Sequence, residues 1–187
     1  MKFKQAGKAT QNARKLWFDD TFGRLSAEAK GTYLGKFGTE DRILVIYSDG
    51  NYEVTDQELT QRFDADKILL IEKFDPERII TAVYLDNEKE QYSIKRFKIE
   101  TNSLSNKFFF IREGEGNRLE MVSTDEEPVL IVQTGRGSQV RKAKFKTVRV
   151  VDVMGWKAVG AKLADYSKSL TMEWEVKKKP DQPELFD

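Results

Sequence analysis

Residues 42–54, which read Arg-Ile-Leu-Val-Ile-Tyr-Ser-Asp-Gly-Asn-Tyr-Glu-Val, contain the clearest strand–turn–strand pattern in the chain. The apolar and largely β-branched run ends at Ser48, and the alternation of apolar and polar residues resumes at Tyr52. Asp49-Gly50 between two such runs is typical of a tight β-hairpin, because the turn requires positive φ angles that glycine adopts without steric cost. The stretch therefore predicts two antiparallel strands joined by a short turn.

Similar units recur along the chain. Residues 79–97 read as a second strand, polar turn and strand, and residues 119–132 as a fainter third. The turn aspartates Asp49, Asp86 and Asp125 lie 37 and 39 residues apart. Because one hairpin cannot bury its own apolar face, a strand repeat of this length predicts a propeller-like or solenoid β array. Three hairpins and the end strands correspond to about four blades.

The expected domain covers residues 15–176, with a loose lead-in at 1–14 and a charged, proline-containing tail at 177–187. Within the domain, residues 15–18 are expected to form the outer strand of a first blade. Residues 55–63 are expected to form one or two helical turns, residues 135–146 an exposed basic loop, and residues 148–154 a strand.

Composition excludes several classes of site. The 187 residues contain neither cysteine nor histidine, which removes disulfides, the usual zinc sites, thiol nucleophiles and every Ser–His or Cys–His pair. Asp64 and Asp66 resemble a metal-binding carboxylate pair, but we interpret them as turn residues because no further acids converge on them. No apolar run approaches the roughly 18 residues of a membrane span, so the chain is expected to be soluble and cytoplasmic.

Charge is segregated along a chain whose net charge is only +1. Residues 40–90 carry six bases and fourteen acids, whereas residues 133–162 carry eight bases and one acid. This segregation favours a basic face for a polyanion, with solvated loops that bind nothing as the alternative.

The candidate phosphate contacts come from two basic clusters, since phosphate binding requires little beyond positive groups in a row. If hairpins stack as blades, residues one period apart lie side by side, so the two clusters are expected to form one continuous exposed strip. The candidates are Lys95, Arg96, Lys98, Arg136, Arg141, Lys142, Lys144, Lys146, Arg149, Lys157 and Lys162.

Three stretches, residues 41–54, 67–77 and 155–163, resemble the C-terminal domain of the A subunit of bacterial topoisomerase IV, in the form typical of Bacteroidetes. The likeness covers about residues 15–165. In that family, and in the related gyrase A subunit, the domain is a β-pinwheel whose basic outer rim binds and bends duplex DNA. The resemblance therefore implies a non-catalytic domain that positions DNA for the catalytic core.

The resemblance also implies where catalysis lies. The family's nucleophile is a tyrosine directly preceded by arginine, and none of the six tyrosines here follows an arginine. Gly135-Arg136-Gly137-Ser138 is at best a remnant of the glycine- and arginine-rich box that marks gyrase, which favours topoisomerase IV. The implied partners are duplex DNA, the rest of the same polypeptide and the enzyme's ATPase subunit, in a cytoplasmic, nucleoid-associated enzyme with no membrane partner. Mg²⁺ and ATP would act on other domains, and no cofactor is expected in this one.

One alternative from another class remains open at this point. A β-repeat scaffold that binds protein would use the acidic stretch at residues 40–90, whose net charge is −8. An enzyme in its own right has no supporting constellation of residues.

Overall fold

The computed structural model describes residues 13–177, in which fifteen strands are the main regular structure. The strands are β1 (Arg14–Asp19), β2 (Arg24–Ser26), β3 (Thr32–Phe37), β4 (Ile43–Tyr47), β5 (Asn51–Thr55), β6 (Ile68–Lys73), β7 (Ile80–Asp86), β8 (Gln91–Phe97), β9 (Phe108–Phe109), β10 (Arg118–Ser123), β11 (Val129–Thr134), β12 (Arg141–Lys146), β13 (Val153–Met154), β14 (Ala161–Asp165) and β15 (Thr171–Trp174). A four-residue helix, α1, covers Thr147–Val150, and 3₁₀ turns cover Ala65–Lys67 and Gly137–Gln139. No helix in residues 13–177 is long and apolar enough to cross a bilayer.

The strands form four sheets, here called blades 1 to 4. Blade 1 has the order β2-β1-β3, and blade 2 the order β6-β4-β5-β9. Blade 3 has the order β10-β7-β8, with β13 and β14 both on the far side of β8, and blade 4 has the order β12-β11-β15. The predicted all-β array of about four hairpin blades is confirmed.

The segment that follows each hairpin forms backbone hydrogen bonds with the preceding blade before the chain returns to its own blade. After the hairpin β4–β5, the backbone N–H of Phe63 donates to the Gly23 carbonyl beside β2, at 2.7 Å, and β6 then returns to β4. After the hairpin β7–β8, β9 pairs with β5, and β10 returns to β7. After the hairpin β11–β12, β13 and β14 pair with β8, and β15 returns to β11. Neighbouring blades are thus joined by backbone hydrogen bonds as well as by their cores.

This exchange corrects the predicted third hairpin. Residues 119–132 contain two strands, but β10 pairs with β7 in blade 3 and β11 pairs with β12 in blade 4. The third hairpin is β11–β12, so residues 141–146 form a strand and the predicted loop is confined to residues 135–140. Spacing in sequence does not tell which of two available edges a strand will join, because both edges offer the same backbone groups.

Three smaller expectations were also wrong. Strand β1 lies in the centre of blade 1 instead of at its outer edge. Residues 55–63 form no helix, since the Thr55 hydroxyl donates to the Gln61 side chain at 2.7 Å and holds the segment as a loop. Residues 148–154 form α1 and the two-residue strand β13. The buried Thr147 hydroxyl donates to the Pro128 carbonyl at 2.8 Å and fixes this bend.

The continuous apolar run of β4 reflects burial on both faces of blade 2. Ile43, Val45 and Tyr47 pack against blade 1, whereas Leu44 and Ile46 pack against blade 3. All five residues are buried. Because both faces of β4 are covered by apolar clusters, apolar residues occupy successive positions along it, which explains the sequence from which the prediction began.

The cores join the blades in succession. One apolar cluster lies between blades 1 and 2, a second between blades 2 and 3, and a third between blades 3 and 4. In the third cluster, Val83 and Ile94 of blade 3 meet Leu130 and Val132 of blade 4. Within residues 13–177, blades 1 and 4 each have one face that no other blade covers. On blade 1 this face carries Trp17 packed against the exposed Tyr33, with ring centroids 5.1 Å apart.

Replacing Gly50 with alanine is expected to destabilise the fold by about 2–3 kcal/mol. Gly50 adopts φ +85, and a Cβ there would lie 2.1 Å from Ile111 Cγ1. Urea unfolding measures the loss. Gly155→Ala is the matched control, because nothing lies within 4 Å of its Cβ position. Equal stability of the two variants would contradict the requirement for glycine in this turn.

Candidate nucleic-acid interface

Strand β12 presents a row of lysines on the outer face of blade 4. Because side chains alternate along a strand, Lys142, Lys144 and Lys146 share one face, and all three are exposed. Ala143 and Phe145 point the other way, and Phe145 packs against the core between blades 3 and 4. Residues two apart on a strand are separated by about 6.6 Å. The fold thus converts a basic sequence into an ordered row of ammonium groups.

Acidic residues from the β15 side of blade 4 neutralise part of this row. The Lys144 ammonium pairs with Glu175, and Gln133 donates to Glu173 at 3.5 Å on the same face. Within residues 13–177, Lys142 and Lys146 form no ion pair. These two lysines are therefore the most available cations of the row.

The remaining predicted contacts on blade 4 lie around this strand. Arg136 lies in the β11–β12 turn, Arg141 begins β12, and Arg149 lies on α1; all three are exposed. Alternation places Arg141 on the side of Ala143 and Phe145, opposite the lysine row. We call the lysine row with the two other arginines beside it the basic face: Arg136, Lys142, Lys144, Lys146 and Arg149.

Three further predicted contacts lie on or beside blade 3 and already have neighbours. Lys98 is half-buried and pairs with Glu77 at 2.7 Å, and the exposed Lys162 pairs with Asp165 at 2.5 Å. The Lys157 ammonium lies 5.0 Å from the centroid of the Trp156 ring. These residues are separate from the row on β12.

Lys95 is buried, which contradicts its predicted place on an exposed strip. Its side chain is 1% exposed. Its ammonium donates to the carbonyls of Phe110, Trp156 and Ala158 at 2.5, 2.6 and 2.6 Å. Burial lowers the pKa of Lys95 to about 8, so at neutral pH the side chain is mainly an ammonium whose three N–H donors match three carbonyls. Lys95 holds the crossing segment of the fourth repeat to blade 3.

Arg96 is buried as well, with 6% of its surface exposed. Its guanidinium makes one long contact, 3.5 Å to the Glu126 carbonyl, and its Nε has no hydrogen-bond partner. The predictions that Lys95 and Arg96 are exposed failed for the same reason. Strand β8 is the central strand of blade 3 and is covered on both faces, so alternation does not bring either base to the surface. The predicted continuous strip from β8 to β12 is therefore absent from residues 13–177.

Sequence reasoning did not identify Arg112 as a candidate. Arg112 and Lys157 line the same cleft of about 360 Å³, together with Phe109 and Trp156. Arg112 lies within a basic segment, yet 45 residues separate it from Lys157. The two residues meet because Arg112 follows the segment that crosses to blade 2 and Lys157 lies in the segment that crosses to blade 3.

The acidic residues do not form a metal centre in the described part of the chain. Asp64 pairs with Lys67 at 3.1 Å beside a 3₁₀ turn, as expected for a turn residue. No group of three carboxylates in residues 13–177 is arranged to hold a metal ion.

Comparisons with known proteins bear on the fold and the family of the chain. A crystal structure of the C-terminal domain of DNA topoisomerase IV superposes with a TM-score of 0.60 and 14% sequence identity, over 89% of this chain and 62% of that chain. At this identity the likeness shows the fold alone, and it confirms the predicted β-pinwheel. The chain spans about three fifths of the length of that domain. No curated protein sequence matches. A family model described as the topoisomerase C-terminal domain of Bacteroidota matches residues 24–170, so the chain belongs to that family.

Proposed function

We propose that this domain binds duplex DNA through the basic face of blade 4, as the non-catalytic C-terminal domain of the topoisomerase IV A subunit. The observation that carries the proposal is the exposed row of Lys142, Lys144 and Lys146 on one face of a strand that contains no acid. Membership of the topoisomerase C-terminal domain family supports the choice of DNA as the polyanion.

The contacts would be made to phosphates. Lysine is a flexible point charge, which suits attraction to a phosphate backbone more than recognition of base edges. Successive lysines of the row lie about 6.6 Å apart, and one DNA strand advances about 3.4 Å per phosphate along its axis. Neighbouring lysines could thus contact phosphates one or two positions apart, in a manner that depends little on base sequence.

In the whole enzyme the domain would hold a DNA segment for a catalytic core on other parts of the same polypeptide. Cleavage and ATP hydrolysis, with Mg²⁺ and ATP, would belong to that core and to the ATPase subunit. The domain itself would be neither a nuclease nor an ATPase, and the enzyme would act on the cytoplasmic nucleoid.

A protein-binding scaffold is the second candidate, because residues 40–90 carry a net charge of −8. The structure reduces the acidic surface that this segment offers. Glu53 and Asp86 are buried, and Glu77 and Glu88 are paired with Lys98 and Arg112, which lie outside the segment. The observations therefore favour the basic face as the main binding surface.

Reversing two charges of the row should test the proposed function. The double variant Lys142→Glu/Lys146→Glu is expected to bind duplex DNA about 10–50-fold more weakly at moderate salt, because two phosphate contacts become repulsive. Fluorescence anisotropy with a labelled random-sequence duplex measures the change.

The control variant is Lys89→Glu/Lys168→Glu, which alters net charge equally at two exposed lysines outside the basic face. We expect it to lose at most a few-fold in affinity. Equal losses in both variants would show that net charge alone attracts DNA. No loss in either would favour the protein-binding scaffold.

A further inference from the structure

The exchange of segments between repeats leaves one strand edge open in the described chain. In blades 1, 2 and 3, the second strand of the hairpin receives the crossing segment of the next repeat: Phe63 beside β2, β9 on β5, and β13 with β14 on β8. In blade 4 the corresponding strand is β12. Among residues 13–177, no strand pairs with its outer edge.

Two hydrogen bonds reveal which backbone groups face this edge. Glu175 N–H donates to the Val129 carbonyl at 2.8 Å, and Thr147 N–H donates to the Pro128 carbonyl at 3.3 Å. Backbone groups alternate in direction along an antiparallel strand, and Lys146 is the register partner of Val129. The N–H and C=O groups of residues 141, 143 and 145 are therefore used by β11, whereas those of Lys142 and Lys144 point to the open edge. The Lys146 N–H points there too, but its C=O belongs to α1, of which Lys146 is the N-cap.

The side chains along the edge restrict what can pair with it. An incoming strand would place every second side chain beside the exposed lysines, and the intervening ones beside Ala143 and Phe145. A second copy of β12 would set lysines opposite lysines, which is destabilising. Acidic residues would instead be paired on the outer face, and apolar residues would extend the core that Phe145 already joins.

We propose that the open edge of β12 binds an extended segment of another polypeptide in which acidic and apolar residues alternate. The segment adds to blade 4 as a fourth strand, in the position that the crossing segment occupies in the other blades. Main-chain hydrogen bonds provide affinity and the alternating side chains provide specificity, as in other cases of strand addition. The same lysines serve the proposed DNA contacts, so the segment competes with DNA.

Two substitutions at one position separate strand addition from charge attraction. Lys144→Gln and Lys144→Pro both remove the charge, but only proline also removes an N–H that faces the edge. Proline is tolerated on edge strands where the N–H faces solvent. The probe is a fluorescein-labelled peptide of four Glu-Val pairs, and its binding is followed by anisotropy.

We expect Lys144→Gln to weaken peptide binding a few-fold and Lys144→Pro to weaken it by about a further tenfold. Duplex DNA should lose similar affinity with both variants, since its contact is to the ammonium. A peptide of four glutamates followed by four valines is the control for composition, and it should bind at least about tenfold more weakly than the alternating peptide.

Amide hydrogen exchange of the unaltered domain gives a readout that does not depend on how the proline variant folds. The alternating peptide should slow exchange at the amides of Lys142, Lys144 and Lys146, and the block peptide should not. If circular dichroism shows that both variants are folded, equal affinities of the proline and glutamine variants for the alternating peptide would overturn the proposal. So would unchanged exchange at the three amides with peptide in excess. The edge lysines would then serve only to prevent edge-to-edge association, and the DNA proposal would be unaffected.

Discussion

A tenfold rise in salt concentration is expected to lower the affinity of this domain for random-sequence duplex DNA by about three to four decades. Each neutralised phosphate releases counterions and contributes about −0.9 to the slope of log affinity against log salt. The basic face offers the three lysines of β12 with Arg149 beside them, which corresponds to about four contacts. Anisotropy titrations between about 50 and 500 mM salt measure the slope.

Single neutral variants test the assignment of this slope to the basic face. Lys146→Gln should flatten the slope by about 0.9, whereas Lys89→Gln should leave it unchanged, because Lys89 lies in the β7–β8 turn. Affinity should depend little on base composition. A slope near zero would contradict the DNA proposal, and a flattening by Lys89→Gln would place the contacts on another surface.

Replacing Lys95 with methionine is expected to destabilise the domain by about 2–4 kcal/mol, although the two side chains are similar in length. Methionine offers no donor, so the carbonyls of Phe110, Trp156 and Ala158 would lose the ammonium that they share. Each buried unpaired carbonyl costs about 1–3 kcal/mol, partly offset because no charge is then buried. Urea unfolding measures the difference.

The control for this variant is Lys98→Met, because Lys98 makes only a surface ion pair with Glu77. Such pairs contribute about 0–1 kcal/mol, so this variant should have nearly the same free energy of unfolding as the parent.

The parent should also become more stable as pH rises from about 8 to about 10.4. Lys95 loses its proton near the lower value in the folded state and near the upper value in the unfolded state. Between these two pH values the unfolded chain binds more protons than the folded chain, so the free energy of unfolding increases with pH. Lys95→Met should lack this gain, and equal pH profiles would contradict the assignment.

The local pattern of residues 42–54 was sufficient to predict the first hairpin, and residues 79–97 predicted the second. In both cases the strands are close in sequence and the turn chemistry is explicit, so the pairing is decided locally. The basic residues of β12 were expected to be exposed and are exposed, although they were predicted in a loop and lie in a strand. Composition alone excluded every kind of site that requires a cysteine or a histidine side chain.

The sequence by itself thus determined that the chain is an array of β-hairpins, with its positive charge concentrated in the last quarter of the domain. Only the tertiary structure decided which strands exchange between blades, since every strand edge offers equivalent hydrogen bonds. That exchange buries Lys95 and Arg96 within blade 3, brings Arg112 beside Lys157 in one cleft, and leaves the lysine edge of β12 open within residues 13–177. Burial depends on what covers a strand, and here the covering segments come from another repeat, which no local pattern encodes.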